Sequence, residues 1–414
     1  MQSTQEFTVQ KIDTSPFSFP AERRLPLGLD EFLAMWEHLG RKNKFIATEK
    51  FEKSQLSFAE PHDARAIVKC HNKAYYGLYP YHEMLDVEYV EKFVEDRESN
   101  LVGLYSHEDT GETAGCGIMN CRPEDRIGYL RGLIVIPEFQ GKIDMKKICC
   151  ENAALGYQHF WNTVDKWYTE TRTAHSKAQF LVEYISLRPC GILPNKDVFV
   201  GQGIRESDVL EITYPNRTLY ELRNKFPQLL PELRPLYDFI AHQFNLPDGE
   251  FTESQIEVDT TFRTWARKLS EDVTIFKTKN CLNTCTYRLE LNNSYMEFMV
   301  TDMIQSAERT DLHAVNADEL AGLLIRFWEL MDEEDIQYFE YYSPATNVEY
   351  QRVFSALGFK VFAYAPAWKP NVKGTLDDCI VFGYSVEPLN PKQLHLSESG
   401  KRLWQILKYY ILQN

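Results

Sequence analysis

The sequence lacks any long apolar run. Across its 414 residues no stretch is long and apolar enough to span a bilayer, and the N-terminal segment MQSTQEFTVQKID lacks the basic-then-apolar order of a secretory signal. We therefore expect a cytoplasmic protein with no membrane partner.

Basic residues are also scarce. The chain has 45 Lys and Arg against 60 Asp and Glu, a net charge of −15, and its basic residues form nothing larger than short pairs such as Arg23-Arg24 and Lys146-Lys147. A nucleic-acid-binding surface needs a basic stripe that neutralises phosphates. We therefore expect no nucleic acid as a partner, whereas an acidic surface is compatible with a cationic amine substrate.

Motifs for nucleotides and metals are absent as well. The sequence contains no GxGxxG, no GxxxxGK and no HExxH. Its nine cysteines are scattered, and the CxxxC pair Cys281 and Cys285 has neither a second pair nor a histidine cluster nearby. Because structural zinc needs four suitably spaced ligands, we expect free thiols and no metal.

Regular structure is predicted from about residue 55 onward. Apolar spacing gives the order strand, helix, helix, three strands, helix, strand, helix, strand up to about residue 205. Three consecutive strands followed by alternating helices and strands predict a mixed α/β sheet. The predicted segments are Gln55–Glu60, His62–Tyr75, Val87–Val94, Asn100–Ser106, Thr113–Cys121, Ile127–Ile136, Ile143–Thr163, Trp167–Glu170, Lys177–Ile185 and Gly191–Val200.

A later part of the chain repeats this layout. Residues 167–194 and 338–366 each contain a strand, a polar turn, a short amphipathic helix, a small-residue break and a strand that ends in Pro. A repeat at about one domain length indicates a duplicated unit, and a chance match of common βαβ layouts is the alternative. We predict an N-terminal extension over 1–50, a first domain over 51–205, a helical linker over 206–270, a second domain over 271–390 and a C-terminal helix over 391–414. Among the later helices we predict Leu229–Phe244 in the linker and Tyr350–Leu357 in the second domain, with Ser397 or Ser399 as the N-cap of the C-terminal helix.

One strand-to-loop junction resembles a known family. Residues 133–142, LIVIPEFQGK, join an apolar strand to Val-x-Pro-Glu-aromatic and then Gln-Gly. This junction resembles that of the GCN5-related N-acetyltransferase (GNAT) superfamily, and Lys177–Pro194 is similar to the closing elements of that family. Phe354–Phe359, with Leu-Gly-Phe after a helix, resembles the same place in a second copy. The resemblance implies tandem acyl-CoA N-acyltransferase-like domains joined by a helical linker.

The resemblance also implies acetyl-CoA or another acyl-CoA as co-substrate at this junction. The pyrophosphate would lie at the turn and helix N-terminus, where free N–H groups and the helix dipole favour anions. In the family this turn carries small residues, whereas here Ile143 and Met145 stand in their places with Asp144 between them. A shifted register that uses Gly141 is the alternative. In the second copy the resemblance implies that the corresponding loop lies at Ser306–Thr310. The implied cofactor-binding residues are Leu133, Val135, Gln140, Gly141, Lys142, Ile143 and Asp144.

Two residues are candidates for the catalytic base. Acyl transfer to an amine requires a proton acceptor and an N–H group that polarises the thioester carbonyl, and the resemblance implies the N–H of Val135 for the second role. Glu170, on a predicted strand, is the first candidate base and His175 the second. The structural alternatives are an ion pair of Glu170 with Arg172 or Arg131, and a solvated or capping role for His175.

Four tyrosines are candidates for the acceptor site. The run YYGLYPYH at 75–82 falls between the first two helices, where the superfamily builds its acceptor wall. Tyrosine rings offer both apolar surface and a hydrogen-bonding hydroxyl, so Tyr75, Tyr76, Tyr79 and Tyr81 are candidate substrate-binding residues. The alternative is a rigid loop whose rings pack on the sheet.

These observations lead to one main hypothesis and two alternatives. The main hypothesis is an N-acyltransferase that acts on a small-molecule amine. A catalytically silent module of the same fold, which binds a metabolite or partner protein, is the alternative that the altered loop at 143–145 favours. Acylation of a protein is the third, and the sequence does not separate it from small-molecule acylation.

Overall fold

The computed structural model describes residues 28–41, 54–107, 109–198, 205–280 and 284–412. The predicted extension over 1–50 lies outside these residues except for helix α1 (Leu29–Arg41) and Gly28 before it. Cys281 of the CxxxC pair also lies outside them. The eight cysteines within the described residues are free and buried, as predicted.

The first half of the molecule, residues 54–213, follows nearly the predicted order of elements. These elements are β1 (Ser54–Phe58), α2 (Ala64–Tyr75), α3 (Val87–Glu95), β2 (Asn100–His107), β3 (Thr113–Arg122), β4 (Ile127–Val135), α4 (Met145–His159), β5 (Lys166–Arg172), α5 (Lys177–Tyr184), β6 (Arg188–Val198) and β7 (Arg205–Thr213). β7 occupies the start of the segment predicted as a helical linker. Nearly all its side chains are buried, so the alternation that marks a half-exposed strand is missing.

The connecting segment, residues 214–273, contains two α-helices and a π-helical turn at Thr218–Leu222. Its elements are β8 (Gln228–Leu229), α6 (Arg234–Phe244), β9 (Glu250–Phe251) and α7 (Thr260–Ser270). The helix predicted from Leu229 begins at Arg234, because a short turn opened by Pro231 precedes it. α7 was not predicted, although Asp259 caps it by accepting a hydrogen bond of 2.8 Å from the Phe262 N–H.

The second half, residues 274–385, has the same kinds of elements. They are β10 (Thr274–Lys279), β11 (Thr284–Leu291), β12 (Ser294–Thr301), β13 (Ser306–His313), α8 (Ala317–Glu333), β14 (Tyr338–Pro344), α9 (Val348–Ala356), β15 (Lys360–Pro370) and β16 (Leu376–Ser385), followed by α10 (Glu398–Ile411). Our assignment of Ser306–Thr310 to a phosphate loop of this half is wrong. Those residues lie inside β13, and the loop that leads to α8 is 314–316.

Fourteen strands of the described residues form one mixed sheet. Its order is β1-β2-β3-β4-β5-β7-β6-β15-β16-β14-β13-β12-β11-β10, so both halves have the same strand order and meet at β6 and β15. In each half one neighbouring pair is parallel, β4 with β5 and β13 with β14. The mixed α/β fold class predicted from the sequence is confirmed.

The strand register repeats as well. β4 and β5 pair from Ile127 with Lys166, and β13 and β14 pair from Ser306 with Tyr338. β6 and β15 each carry an irregularity at the same place, where Asn195 and Ala367 adopt φ values of 52° and 45°. This correspondence aligns Glu170 with Tyr342, Lys196 with Trp368, Tyr129 with Glu308 and Tyr168 with Glu340.

Helices cover the sheet on both faces. In the first half α2 and α3 pack on one face, while α1, α4 and α5 pack on the other. α6 and α10 pack against β15, and α10 also packs against β6, so they support the junction of the two halves. The N-cap of α10 is Ser397, one of the two serines predicted for it, and its Oγ accepts a hydrogen bond from the Gly400 N–H.

Candidate functional site

β4 and β5 form a fork in the first half. They pair only from Ile127 to Tyr129 on β4, and beyond that point β5 pairs with β7 alone. β4 then contains a bulge against β3, in which Gly132 adopts a φ of +59° that favours glycine. This fork, called the first fork below, leaves the edge of β4 from Leu130 to Val135 without a β5 partner.

The loop after β4 contains an aspartate that caps the next helix, α4. Ile143 is buried in the core, and Asp144 accepts hydrogen bonds of 3.1 Å from the N–H groups of both Lys146 and Lys147 at the start of α4. These N–H groups are the ones that an anion at the helix N-terminus would use. Asp144 therefore occupies the position that the resemblance assigned to a pyrophosphate.

The other implied cofactor-binding residues surround this loop. Leu133 and Val135 pack against the core, and the side-chain amide of Gln140 donates to the Val135 carbonyl at 3.4 Å. Gly141 has a φ of +75° with open space beside it, and Lys142 is exposed. The fork and the loop thus lie next to each other.

A cleft of about 800 Å³ lies between the two halves of the molecule. One wall comes from the α2–α3 region and β4, and the other from β13, β14 and β15. Many of the side chains on these walls are aromatic or charged. The cleft is lined by Tyr79, Tyr81, Glu83, Tyr89, Phe93, Arg122, Asp125, Tyr129, Arg131, Tyr168, Glu170, Lys196, Glu308, Arg309, Asp311, Glu340, Tyr342, Trp368 and Lys369, among others.

Three glutamates surround one buried lysine at the base of the cleft. Lys196 Nζ donates to Glu170 Oε1 at 2.8 Å and to Glu340 Oε1 at 3.0 Å, and lies 3.6 Å from Glu308 Oε1. Glu170 comes from the first half, and Glu308 and Glu340 come from the second. Glu308 Oε1 is buried and has no hydrogen-bond partner. The carboxylates outnumber the ammonium group, so the cluster carries excess negative charge.

Burial and crowding raise the pKa values of two of these carboxyl groups. Burial raises the pKa of Glu170 from 4.5 to about 7, and the neighbouring carboxylates add to this effect although Lys196 opposes it. The pKa of Glu308 also rises from 4.5 to about 7, for the same reasons. Burial alone would lower the pKa of Lys196, but the three carboxylates raise it well above its usual value. Lys196 therefore stays charged while Glu170 can exchange a proton near neutral pH.

The two candidate bases are not brought together. Glu170 lies two residues beyond Tyr168, the last β5 residue paired with β4, and Tyr129 Oη donates to Glu170 Oε2 at 3.4 Å. Its ion-pair partner is Lys196, not the predicted alternatives Arg172 and Arg131. His175 lies in an exposed turn after β5 and does not line the cleft.

The four candidate tyrosines take three different positions relative to the cleft. Tyr79 and Tyr81 line the cleft, and Tyr81 Oη donates to Asp197 Oδ1 at 3.3 Å. Tyr75 lies behind Tyr79, with the two rings tilted against each other and their centroids 4.6 Å apart. Tyr76 is 73% exposed, because the left-handed C-cap of α2 turns it toward solvent. Tyr79 and Tyr81 can contact a ligand in the cleft, and Tyr75 can support them.

Sequence reasoning missed Lys196, Glu308 and Glu340. The run Asn195-Lys196-Asp197 interrupts a predicted buried strand, and such a polar run among apolar residues is a signal of a buried charge cluster. Glu308 was assigned to a loop, which hid its inward position on β13. Nothing in the sequence pairs these residues, since they lie far apart in the chain.

Metal and membrane sites do not emerge from the described residues. Among them no group of three or more His, Cys, Asp or Glu side chains could hold a metal ion. In that same part of the chain no helix has the length and apolar character needed to cross a membrane.

Comparisons with known proteins give matches to solved structures only. No protein-family model matches the chain, and no curated protein matches its sequence. A chimera of the Vibrio cholerae spermidine N-acetyltransferase SpeG with hSSAT matches at 18% identity and a TM-score of 0.32, over 39% of this chain and 96% of that one.

Two other acetyltransferases match to a similar extent. RimL, a ribosomal L7/L12 alpha-N-protein acetyltransferase in complex with coenzyme A, matches at 13% identity and a TM-score of 0.32, over 40% of this chain and 96% of that one. A putative phosphinothricin N-acetyltransferase matches at 16% identity and a TM-score of 0.33, over 39% and 98%. At these TM-scores the likeness says nothing about substrate or activity. Each of these matched proteins is an acetyltransferase by name, and each match covers about 40% of this chain.

Proposed function

We propose that this chain is an N-acyltransferase that moves an acetyl or other acyl group from a CoA thioester to a primary amine bound in the cleft. The observation that carries this proposal is the position of Glu170. It lies at the point where β4 and β5 separate, at the base of the cleft, with a pKa of about 7. A carboxylate with that pKa can accept a proton near neutral pH, which an amine must lose before it attacks a thioester.

The surrounding residues hold Glu170 in place for this role. Lys196 and Tyr129 each donate a hydrogen bond to one of its carboxylate oxygens, which orients the group toward the cleft. The N–H of Val135 is the proposed donor to the thioester carbonyl, as the resemblance implies. His175 is a weaker candidate for the base, because it is exposed and outside the cleft.

The chain fits an acyl-CoA in part. When bound, this co-substrate would supply an activated acyl group, and the unpaired edge of β4 leaves room for an extended arm beside it. The start of α4 does not fit a pyrophosphate while Asp144 accepts its N–H groups. Rotation of the Asp144 side chain would free them, and the exposed Lys142 would then offset the carboxylate.

We also propose that the two halves descend from one duplicated unit, with domains over 51–205 and 271–390 as predicted and β7 added to the first. The repeated strand order and the matching irregularities at Asn195 and Ala367 support this proposal. The neighbours SpeG and RimL act on spermidine and on a ribosomal protein respectively. We propose a small-molecule amine in the cytoplasm as the acceptor of this chain, with a protein as the alternative.

The test is a calorimetric titration of acetyl-CoA and CoA into the full chain and two variants. Asp144→Ser keeps a helix cap but removes the charge, and Asn316→Ser changes the corresponding cap of α8 in the second half, where Asn316 accepts from the Glu319 N–H. We expect micromolar binding by the wild type, about −8 kcal/mol. Asp144→Ser should bind about tenfold more tightly, and Asn316→Ser should not change binding.

Other outcomes of this titration separate the hypotheses. Weaker binding by Asp144→Ser would mean that the native loop binds CoA in the shifted register that uses Gly141. Binding only after Asp144→Ser would favour the second candidate, a silent binding module, for which the engaged α4 N-terminus is the supporting observation. Absence of binding at millimolar ligand in every protein would contradict the proposed acyltransferase.

A further inference from the structure

One cation in the cleft lacks a counter-ion. Arg131 contacts Met84 Sδ at 3.8 Å and the Phe93 ring at 5.5 Å, and within the described residues it forms no ion pair. Its Nε is buried and has no hydrogen-bond partner. A guanidinium presents several donors in a planar fork that matches a carboxylate. An unpaired one beside aromatic rings is costly unless a ligand or water completes it.

The other cations that line the cleft differ from Arg131. Arg122 pairs with Asp125 at 3.4 Å, and Lys369 pairs with Asp311 at 3.3 Å. Lys196 is surrounded by its three glutamates, and Arg309 is exposed at the rim. Arg131 is therefore a half-buried cation of the cleft that can accept an anionic group from outside the chain.

Arg131 and Glu170 stand on opposite sides of the first fork. Tyr129 and Tyr168 are paired neighbours on β4 and β5, and side chains two residues apart on a strand share a face. Arg131 and Glu170 each lie two residues beyond that pair, and both line the cleft. Neighbouring strands are about 4.8 Å apart where they pair. Even so, Glu170 is held by Lys196 and forms no ion pair with Arg131.

We propose that the acceptor is an amino acid, whose carboxylate binds Arg131 and whose α-amino group faces Glu170. This inference rests on the proposed acyltransferase function and names the class of its substrate. An ammonium and a carboxylate on one carbon atom match two opposite charges that flank a single fork. The rings of Tyr79, Phe93 and Tyr129 line the same wall and would contact a bulky apolar or aromatic side chain.

A simple amine or a polyamine should bind this site more weakly than an amino acid. Such a ligand could place its ammonium group near Glu170 and Glu308, but it carries no anionic group for Arg131. The half-buried guanidinium would then stay without a counter-ion, its buried Nε still without a hydrogen-bond partner, and sites with an unpaired polar group discriminate strongly against ligands that lack the matching group. The difference in affinity between an amino acid and its decarboxylated amine therefore measures the contribution of Arg131 to binding.

The test compares binding of L-phenylalanine and phenethylamine to the full chain by calorimetry, without any thioester. We expect L-phenylalanine to bind the wild type at least about tenfold more tightly. Arg131→Gln should reduce that ratio to below about threefold, and Arg131→Lys should retain part of it. The matched control is Arg288→Gln, which removes the same charge from an exposed pair on β11 and should leave the ratio unchanged.

Three further results would decide the matter. Equal binding of the two ligands by the wild type, or no binding of L-phenylalanine, L-tyrosine and L-tryptophan at millimolar concentration, would overturn the inference. An unchanged ratio in an Arg131→Gln protein whose thermal unfolding matches the wild type would overturn it as well. Transfer from acetyl-CoA is assayed separately. Arg131-dependent binding without transfer would support the amino-acid site and contradict the acyltransferase. Equal transfer to L-phenylalanine and phenethylamine would support the acyltransferase and contradict the amino-acid site.

Discussion

The two halves of the molecule share a backbone plan but not a chemistry. The strand order, the single parallel pair and the left-handed residue in the sixth strand repeat in both. At corresponding positions, however, Glu170 faces the cleft where the second half has Tyr342, and Lys196 where it has Trp368. Strand register and bulges are properties of the main chain, so they persist while side chains change. Repetition of a fold therefore does not imply repetition of a site.

The two halves also contribute different residues to one charge cluster. The first half supplies Glu170 and Lys196, and the second supplies Glu308 and Glu340. On the other side of the junction, Trp368 stacks on Tyr342 at 4.7 Å between ring centroids and meets the edge of Tyr168. The second half thus provides two carboxylates to the lysine of the first half, and neither half contains the cluster alone.

The largest expected effect compares the corresponding positions 170 and 342. Glu170→Gln keeps the shape of the side chain but removes the proton acceptor, so we expect kcat/KM for acyl transfer to fall by about 10²–10⁴-fold. Tyr342→Phe removes only a hydroxyl from the second half and should cost less than about tenfold. Steady-state kinetics with one amine acceptor measures both. Equal losses would mean that the two forks share the chemistry.

Removal of the lysine should be the next largest effect. Lys196→Met leaves buried carboxylates without a counter-ion, and breaking a buried ion pair in this way costs about 3–5 kcal/mol of unfolding free energy. Lys369→Met breaks a rim pair that is partly exposed, and such pairs contribute about 0–1 kcal/mol. Urea denaturation at pH 8 measures both. A similar small loss for Lys196→Met would show that the three glutamates are protonated in the native protein.

The third prediction concerns the pH dependence of stability. The pKa of Glu308 rises from 4.5 to about 7 on folding, so its contribution to stability is full below pH 4.5 and is lost as the pH rises through 7. Glu308→Gln removes the charge, and two carboxylates remain beside Lys196. We expect this variant to match the wild type near pH 4.5 and to exceed its unfolding free energy by up to about 3 kcal/mol at pH 8, since one pKa unit is about 1.4 kcal/mol.

A control in the same half sharpens that prediction. Glu297 forms a partly exposed pair with Arg288 on the neighbouring strand, so Glu297→Gln should change stability little at either pH. Denaturation of the three proteins at both pH values is the measurement. Loss of stability in Glu308→Gln at pH 8 would contradict the excess of negative charge in the cluster.

The smallest expected effect is a shift of the pH–rate profile. If Glu170 accepts the proton, kcat/KM for acyl transfer should rise with pH around a midpoint near 7. A neighbouring negative charge raises a carboxyl pKa, so Glu308→Gln should lower this midpoint by about one unit, equivalent to about 1.4 kcal/mol. Rates from pH 5 to 8.5 test the shift. An unchanged midpoint would mean that Glu308 does not act on Glu170.

The sequence predicts local elements well where one face of a segment is exposed. α2, α3, α5 and α9 lie close to their predicted ranges because their apolar residues recur at helical spacing. β7 escaped prediction because it is buried on both faces, and β13 because its polar residues resembled a loop. The side chains of β7 are buried by helices on the sheet, and several side chains of β13 face the cleft. Both environments form only when the complete sheet is assembled.

The site was predictable only in part, for a related reason. Glu170 was identified because it ends a short strand of the resembled fold, and Tyr79 and Tyr81 because they follow the first helix of the unit. Lys196 and Glu340 come together only through the register of β6 against β15, which no local pattern encodes. Tyr76 was a plausible ligand contact by residue type, but a left-handed cap points it outward.

The joint between the two halves sets the width of the cleft. Gly191 pairs with Ala363 across β6 and β15, and a methyl group on Gly191 would lie 2.1 Å from the Ala363 Cβ and 2.8 Å from the Phe362 carbonyl oxygen. The strands could not keep this spacing if residue 191 had a side chain. β6 and β15 would have to move apart, and the second half would shift relative to the first. The absence of a side chain at Gly191 thus helps to set the distance between Glu170 of the first half and Glu340 of the second. The width of the cleft therefore depends on strand packing at the centre of the sheet, far from the residues at its rim.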